Sequence, residues 1–313
     1  MPTVELLSRP LGRWISPAAR AYFFENVVGQ EAPSGDLATL RSHYGAINHL
    51  RFQTAMQLYP VKIEESDLNG VPVAIITPAD GVTDGRTLMC LHGGGFMWGQ
   101  GEAAWLEALP VAVAMGCTVV AVDYRLAPEH IFPAAVDDAL ACFRSLLARQ
   151  PASSLGIFGS SAGAMLCAQL VARLIAEEAQ LPGAIAMLHG GALDFDGDSV
   201  AFSINLDGSN QFLSVADLPY FASADLSSPL VLPANHPQTL AKFPVSLLIT
   251  GTRDFAGSAV TMTHRRLLQA GVSASLVMFD GLWHAHHVDT ELPESQEVFA
   301  ILSQFFKEKL IEP

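Results

Sequence analysis

At 313 residues, half of them hydrophobic and only 15% charged, the chain can bury one large core and is too apolar for intrinsic disorder. Seventeen lysines and arginines against 31 acidic residues leave a net charge of −14, which repels phosphate backbones and anionic lipid and argues against nucleic-acid partners. No run approaches the roughly 18 apolar residues of a membrane span, and the N-terminus has no signal-peptide pattern, so the expectation is a soluble, cytoplasmic protein.

The first 60 or so residues precede any strand and read as mainly helical. Beyond them, short apolar runs alternate with helical patterns. Strands are expected at VPVAIIT (71–77), TLMCLH (87–92), CTVVAVD (117–123), GIFG (156–159), AIAMLHG (184–190), VSLLITG (245–251) and SLVMFDG (275–281). Helices are expected at about 102–115, 132–149, 162–178, 256–270 and 293–309. Continuous apolar strands are buried on both faces, which marks a mostly parallel sheet between helical layers; the fold class is α/β, doubly wound. The stretch 195–240, rich in Ser, Asp and Pro, breaks the alternation. Such excursions at the carboxyl ends of strands build covers over sites. The expected organisation is an N-terminal cap segment (1–60), a main domain (61–313) and a second cap insertion (195–240). Cys90, Cys117, Cys142 and Cys167 form no C-x-x-C pair and read as reduced core residues.

The chemistry is carried by three regions. Gly159-Ser160-Ser161-Ala162-Gly163 satisfies G-x-S-x-G in one register only, which points to Ser161 as a nucleophile on a tight strand-to-helix turn. Upstream, His92-Gly93-Gly94-Gly95 follows a strand, and consecutive glycines let backbone N–H groups approach a developing oxyanion. Downstream, a base and its orienting acid should follow in the order Asp, His. Asp254 lies just past one strand and His284 past the next, so both share the sheet edge with Ser161. Asp280 is a rival acid, less favoured because it still lies at its strand end. His284, His286 and His287 form an HAHH cluster that invites a zinc reading, but adjacent rings cannot easily face one ion, and no metal is expected. His130, His189 and the remaining histidines read as structural or exposed. Arg125 and Glu129 flank a Pro-fixed turn and are expected to pair with each other.

These residues together resemble the hormone-sensitive-lipase-like (bacterial family IV) esterases of the α/β-hydrolase fold, from about residue 70 to the C-terminus. The resemblance rests on HGGGF (His92 to Phe96), VDYRLAPEHIFPAAVDDA (Val122 to Ala139), GSSAG and GLWH (Gly281 to His284), in the family's order. It implies a Ser161, Asp254, His284 triad. It also implies an oxyanion hole from the N–H groups of Gly94, Gly95 and Ala162, and a cap contribution from the N-terminus. Ser160 stands where relatives usually carry Asp or Thr, and the acid, which usually heads a D-P-L sequence, here stands in RDFAG after Thr252.

The function expected on this basis is a serine carboxylesterase acting on short- to medium-chain esters of small molecules, with no cofactor. A lactonase, amidase or acyltransferase would use the same triad, and a binding protein on the same fold would lack part of it. Phe96, Met97, Trp98, Phe212, Leu213, Tyr220 and Trp283 are candidate lining for an apolar pocket. Whether two copies pair as a homodimer is left open.

Overall fold

The computed structural model describes residues 10–27, 36–203 and 214–313. Eight strands are β1 (Val61–Leu68), β2 (Val71–Pro78), β3 (Thr87–Leu91), β4 (Thr118–Val122), β5 (Leu155–Ser160), β6 (Ala184–Leu188), β7 (Val245–Arg253) and β8 (Ala274–Trp283). They form one sheet in the order β1-β2-β4-β3-β5-β6-β7-β8. β2 runs antiparallel to both β1 and β4, and every other pair is parallel. The chain starts its parallel part in the middle, at β3, adds β4 on one side and then crosses to β5 on the other. A crevice therefore opens at the carboxyl end of β3, between the outgoing connections.

Alternate residues of each central strand enter two separate cores. Met89, Leu91, Ile157 and Met187 face α5 (Ala134–Leu147), α6 (Ala162–Ala176) and α9 (Gly257–Gln269). Leu88, Cys90, Phe158 and Ala186 face α1 (Pro17–Asn26), α4 (Ala108–Met115) and α10 (Pro293–Lys309). All four cysteines are buried and free.

The helix expected over 102–115 is two pieces, α3 (Glu102–Leu106) and α4, that meet at Glu107. Pro110 lacks the N–H that a continuous helix would bond to Leu106, so the helix restarts with Pro110 in its first turn. The strand β1 was not expected at all. VKIEESDL carries charge on both faces because it is an edge strand with mostly exposed side chains. The hairpin signal was the Asn69-Gly70 turn, both residues at positive φ (56° and 87°).

Ahead of the sheet lie α1 and α2 (Leu37–Leu58), the latter capped by the Asp36 side chain on the Thr39 N–H. Among its residues only Ala55 is buried, so packing alone does not hold α2. Arg41 does much of that work. Its Nε donates to the Met97 carbonyl (2.8 Å), one terminal nitrogen to the Ala127 carbonyl (3.0 Å), and both to Glu129 (2.7 Å). Tyr44 stacks on Trp98 at 4.6 Å, and Arg51 donates to the buried Asp289 at 2.8 Å. The pairing expected between Arg125 and Glu129 does not form. Arg125 reaches Asp138 on α5 at 2.7 Å through its side chain, and its own backbone N–H donates to the same carboxylate, so local geometry commits it there and frees Glu129 for Arg41.

The described residues of the 195–240 stretch form short pieces, among them α7 (Asp198–Ser203), α8 (Pro237–Leu240) and single 3-10 turns such as Pro219–Phe221. Among the described residues, no helix is long and apolar enough to cross a membrane.

Candidate active site

Ser161 sits between β5 and α6 at φ 53° and ψ −117°, a backbone conformation that costs an L-residue energy. The flanking glycines exist for packing. A Cβ on Gly163 would lie 1.8 Å from the Leu91 carbonyl oxygen, and one on Gly159 would lie 2.5 Å from the same atom. Only with both absent can α6 start directly against β3 and push the serine side chain up into the crevice.

His284, at the end of β8, places Nε2 at 2.9 Å from Ser161 Oγ and Nδ1 at 2.7 Å from Asp254 Oδ1. A carboxylate only accepts, so Nδ1 carries the proton and Nε2 is free to accept the serine's. Asp254, just past β7, is fully buried. Its Oδ1 also accepts the Ala256 N–H (2.8 Å), and its Oδ2 accepts from Thr250 Oγ1 (2.8 Å) and His189 Nδ1 (2.7 Å). Burial pushes the carboxyl upward, but the neighbouring His284 and His189 and their hydrogen bonds outweigh it and hold the group well below its usual range. Asp280 is exposed and approaches Thr252, at 3.4 Å, instead of the imidazole.

On the other side of the serine, the loop after β3 turns through Gly94 (φ 115°) and Gly95 (φ 60°). A Cβ at Gly94 would meet the Trp98 carbonyl oxygen at 2.1 Å, so the turn requires glycine there. Gly94, Gly95 and Ala162, the first residue of α6, all border the same cavity as Ser161 and His284. Glu107, which no motif in the sequence singles out, ties the two halves together. Its Oε1 accepts the Gly93 N–H (3.0 Å) and Ser160 Oγ–H (2.9 Å), and Oε2 lies 3.3 Å from His287 Nε2. Burial raises this carboxyl, yet bonds from His287, Gly93 and Ser160 bring it below the ordinary glutamate value. Ser160 Oγ is thus committed to Glu107, and both residues border the cavity beside Ser161.

The cavity measures about 490 Å³. Phe96, Met97 and Trp98 border it, as do Tyr44, Asn48 and Arg51 on one face of α2, and Met165, Phe195, Leu218 and Phe255 on the far wall. Two expected lining residues do not reach it. Tyr220 is fully buried behind Phe96, its ring stacked on that residue at 4.1 Å. Trp283 faces the opposite side of its strand and stacks on Tyr22 of α1 at 5.7 Å. Phe212 and Leu213 lie outside the described residues.

His189, Asp254 and His284 offer ligand atoms within 4.8 Å of one another, the one such group among the described residues. Both imidazoles already donate Nδ1–H to Asp254, and an ion bound through those nitrogens would displace both protons and break the bond between Asp254 and His284. In the HAHH cluster, the His286 and His287 rings stand at 89° with centroids 6.4 Å apart. His189 is neither exposed nor merely structural filler: it shares Asp254 with His284.

A family model for the α/β-hydrolase fold matches residues 88–288. An acetyl-hydrolase of Streptomyces hygroscopicus is 29% identical over 232 residues, covering 72% of this chain and 76% of that protein. The solved structure of an esterase, E25, is 28% identical, covers 97% of both chains and superposes with a TM-score of 0.83. That of an esterase from the bacterial hormone-sensitive lipase family is 27% identical, covers 88% of this chain and 93% of its own, and superposes with a TM-score of 0.75. With its crevice at the carboxyl edge of an eight-stranded sheet, and with more than half its length matched, the chain belongs to the α/β-hydrolase fold family.

Proposed function

We propose that the protein is a serine carboxylesterase that cleaves small esters through an acyl-enzyme. The observation that carries this reading is the continuous relay from Ser161 Oγ to His284 to Asp254, opening into a cavity bordered by a glycine turn. His284 Nε2 takes the serine proton as Oγ attacks the ester carbonyl. The N–H groups of Gly94, Gly95 and Ala162 receive the negative charge on the carbonyl oxygen, and the N-terminus of α6 adds its dipole. The protonated His284, steadied by Asp254, gives its proton to the departing alcohol. A water, deprotonated by the same imidazole, then releases the acid and restores Ser161. Side chains and backbone donors serve every step. The names of the relatives, an acetyl-hydrolase and esterases, agree with ester substrates.

In this reading, residues 1–60 and 195–240 act as a cap. Tyr44, Asn48 and Arg51 from the first, and Phe195 and Leu218 from the second, border the cavity and limit acyl length. A panel of p-nitrophenyl esters tests this. Turnover per molar enzyme should rise from acetate to an optimum at roughly four to eight acyl carbons and then fall steeply, with triolein emulsions nearly inert. No hydrolysis of any ester in the panel contradicts the proposed activity, and a profile still rising at about sixteen carbons contradicts the closed cap.

A further inference from the structure

We propose that His189 is a positioning residue for the reaction: it holds the second oxygen of Asp254 from the side opposite His284, and so fixes the carboxylate that orients the base. The proposal rests on the reading of Ser161, Asp254 and His284 as the catalytic relay.

β6 and β7 are neighbours in the sheet, so the residues just past their carboxyl ends meet. His189 is anchored there by its own N–H on the Ile249 carbonyl (2.8 Å) and takes φ 53° at the strand end, which turns the imidazole toward Asp254. The ring is fully buried, and its Nδ1 lies 2.7 Å from Asp254 Oδ2. With His284 and Ala256 on Oδ1 and Thr250 and His189 on Oδ2, the carboxylate's roughly four acceptor positions are all used. It has no free rotation left.

The chemistry of the donor matters as much as its place. Because the carboxylate can only accept, the His189 proton sits on Nδ1. Burial disfavours a second proton and lowers the imidazole pKa to about 4, so the ring stays neutral at working pH. A lysine or arginine here would cancel the charge of Asp254, and His284 would lose the anion that stabilises its cation during turnover. A neutral N–H positions without neutralising. The titratable groups around the ring are Asp254 and His284 from the loops after β7 and β8, His287 stacked on it at 5.3 Å, His286 edge-on at 4.9 Å, and Glu107 behind His287. His287 and His286 pin the plane of the ring.

The test compares His189→Asn with His189→Leu. Asparagine tolerates the left-handed backbone and can offer an N–H near the place of Nδ1; leucine fills space and donates nothing. Rates are expressed per active site, counted by fluorophosphonate titration, so partial misfolding does not enter. His189→Leu should lower kcat by roughly 10- to 100-fold, the worth of a hydrogen bond to a charged group, with KM within about threefold. With one donor gone, negative charge concentrates on Asp254 and favours the imidazolium, so the acid limb of kcat/KM should move up by roughly half a pH unit. His189→Asn should stay within about threefold of the parent in kcat, with the limb in place. Equal losses in the two variants, or an unimpaired leucine variant, overturn the proposal. Nitrogen-15 histidine NMR of the unmodified protein decides the matter even if the leucine variant does not fold. A neutral, Nδ1-protonated His189 between pH 5 and 8 supports the proposal, and an Nε2-protonated or cationic ring overturns it. An unmodified protein inert toward all esters would instead sink the esterase reading, with the tautomer still measurable.

Discussion

Ser161 holds a backbone angle of φ 53° in a turn that its neighbours make possible, since Gly159 and Gly163 carry no Cβ to strike the Leu91 carbonyl and so let α6 start directly against β3. Such strain persists only where the surrounding packing over-determines it, and here it lifts one hydroxyl out of the helix end into the crevice. Ser161→Ala should therefore cost activity on the order of a millionfold while leaving the unfolding midpoint nearly unchanged, by analogy with subtilisin. Ser160→Ala removes only a donor to Glu107, and turnover should fall by less than about tenfold. Asp254→Asn keeps the shape but lets the imidazole adopt the wrong tautomer, and kcat should drop by roughly 10⁴, as for the equivalent protease change. Asp280→Asn, at an exposed carboxylate beside Thr252, should be close to silent. Steady-state kinetics on p-nitrophenyl butyrate separates these outcomes.

Among the elements, α2 stands apart in being attached by polar groups. Arg41 grips two carbonyls, that of the cavity-lining Met97 and that of Ala127, and is braced by Glu129. Arg41→Met should loosen this helix over the glycine turn. We expect kcat/KM for the preferred ester to fall by roughly fivefold and the discrimination against dodecanoyl esters to shrink; a parallel loss across all chain lengths would show that α2 does not set the limit. Element by element, the sequence was readable where one physical signal dominated. Seven of the eight strands carry continuous apolar runs and were expected close to their observed positions. β1 was missed because edge strands are charged by necessity. Glu107 and His189 were illegible for a different reason: their roles depend on which strands become neighbours, and no motif flags them. A signal existed for His189, which follows β6 as Asp254 follows β7, but it becomes visible only once the strand order is known. Tyr220 and Trp283 misled because aromatic character does not reveal which face of a turn or strand a ring will occupy.

At the scale of the whole molecule, the carboxyl edge of the sheet concentrates buried titratable groups in a chain that is otherwise ordinary in its packing. His189 is neutral in the folded state, with a pKa pushed down to about 4 by burial, and His286 is driven well below its usual value by burial and by His189 and His287. The unfolded chain takes up protons on both at about pH 6.5. Between that pH and about 4 the unfolded state binds more protons, so stability rises with pH across the window and falls on acidification. His189 alone should cost roughly 2 kcal/mol between pH 8 and pH 5, readable as a lower urea midpoint. Asp254 acts in the same direction at still lower pH, since its depressed carboxyl stabilises the fold above about pH 4 and loses that contribution as pH drops toward its folded value. A urea midpoint that is flat from pH 8 to pH 5 would show these histidines to be hydrated or already protonated in the folded protein.

The claim on which the rest depends is that Ser161 is the activated nucleophile of an esterase. Treatment with a fluorophosphonate, followed by peptide mapping, measures this directly. One modification per chain is expected, on Ser161, with hydrolysis of p-nitrophenyl butyrate lost in proportion to labelling, and no labelling in the His284→Ala protein on the same timescale. Modification at Ser160 or elsewhere, or activity that survives complete labelling, would contradict it.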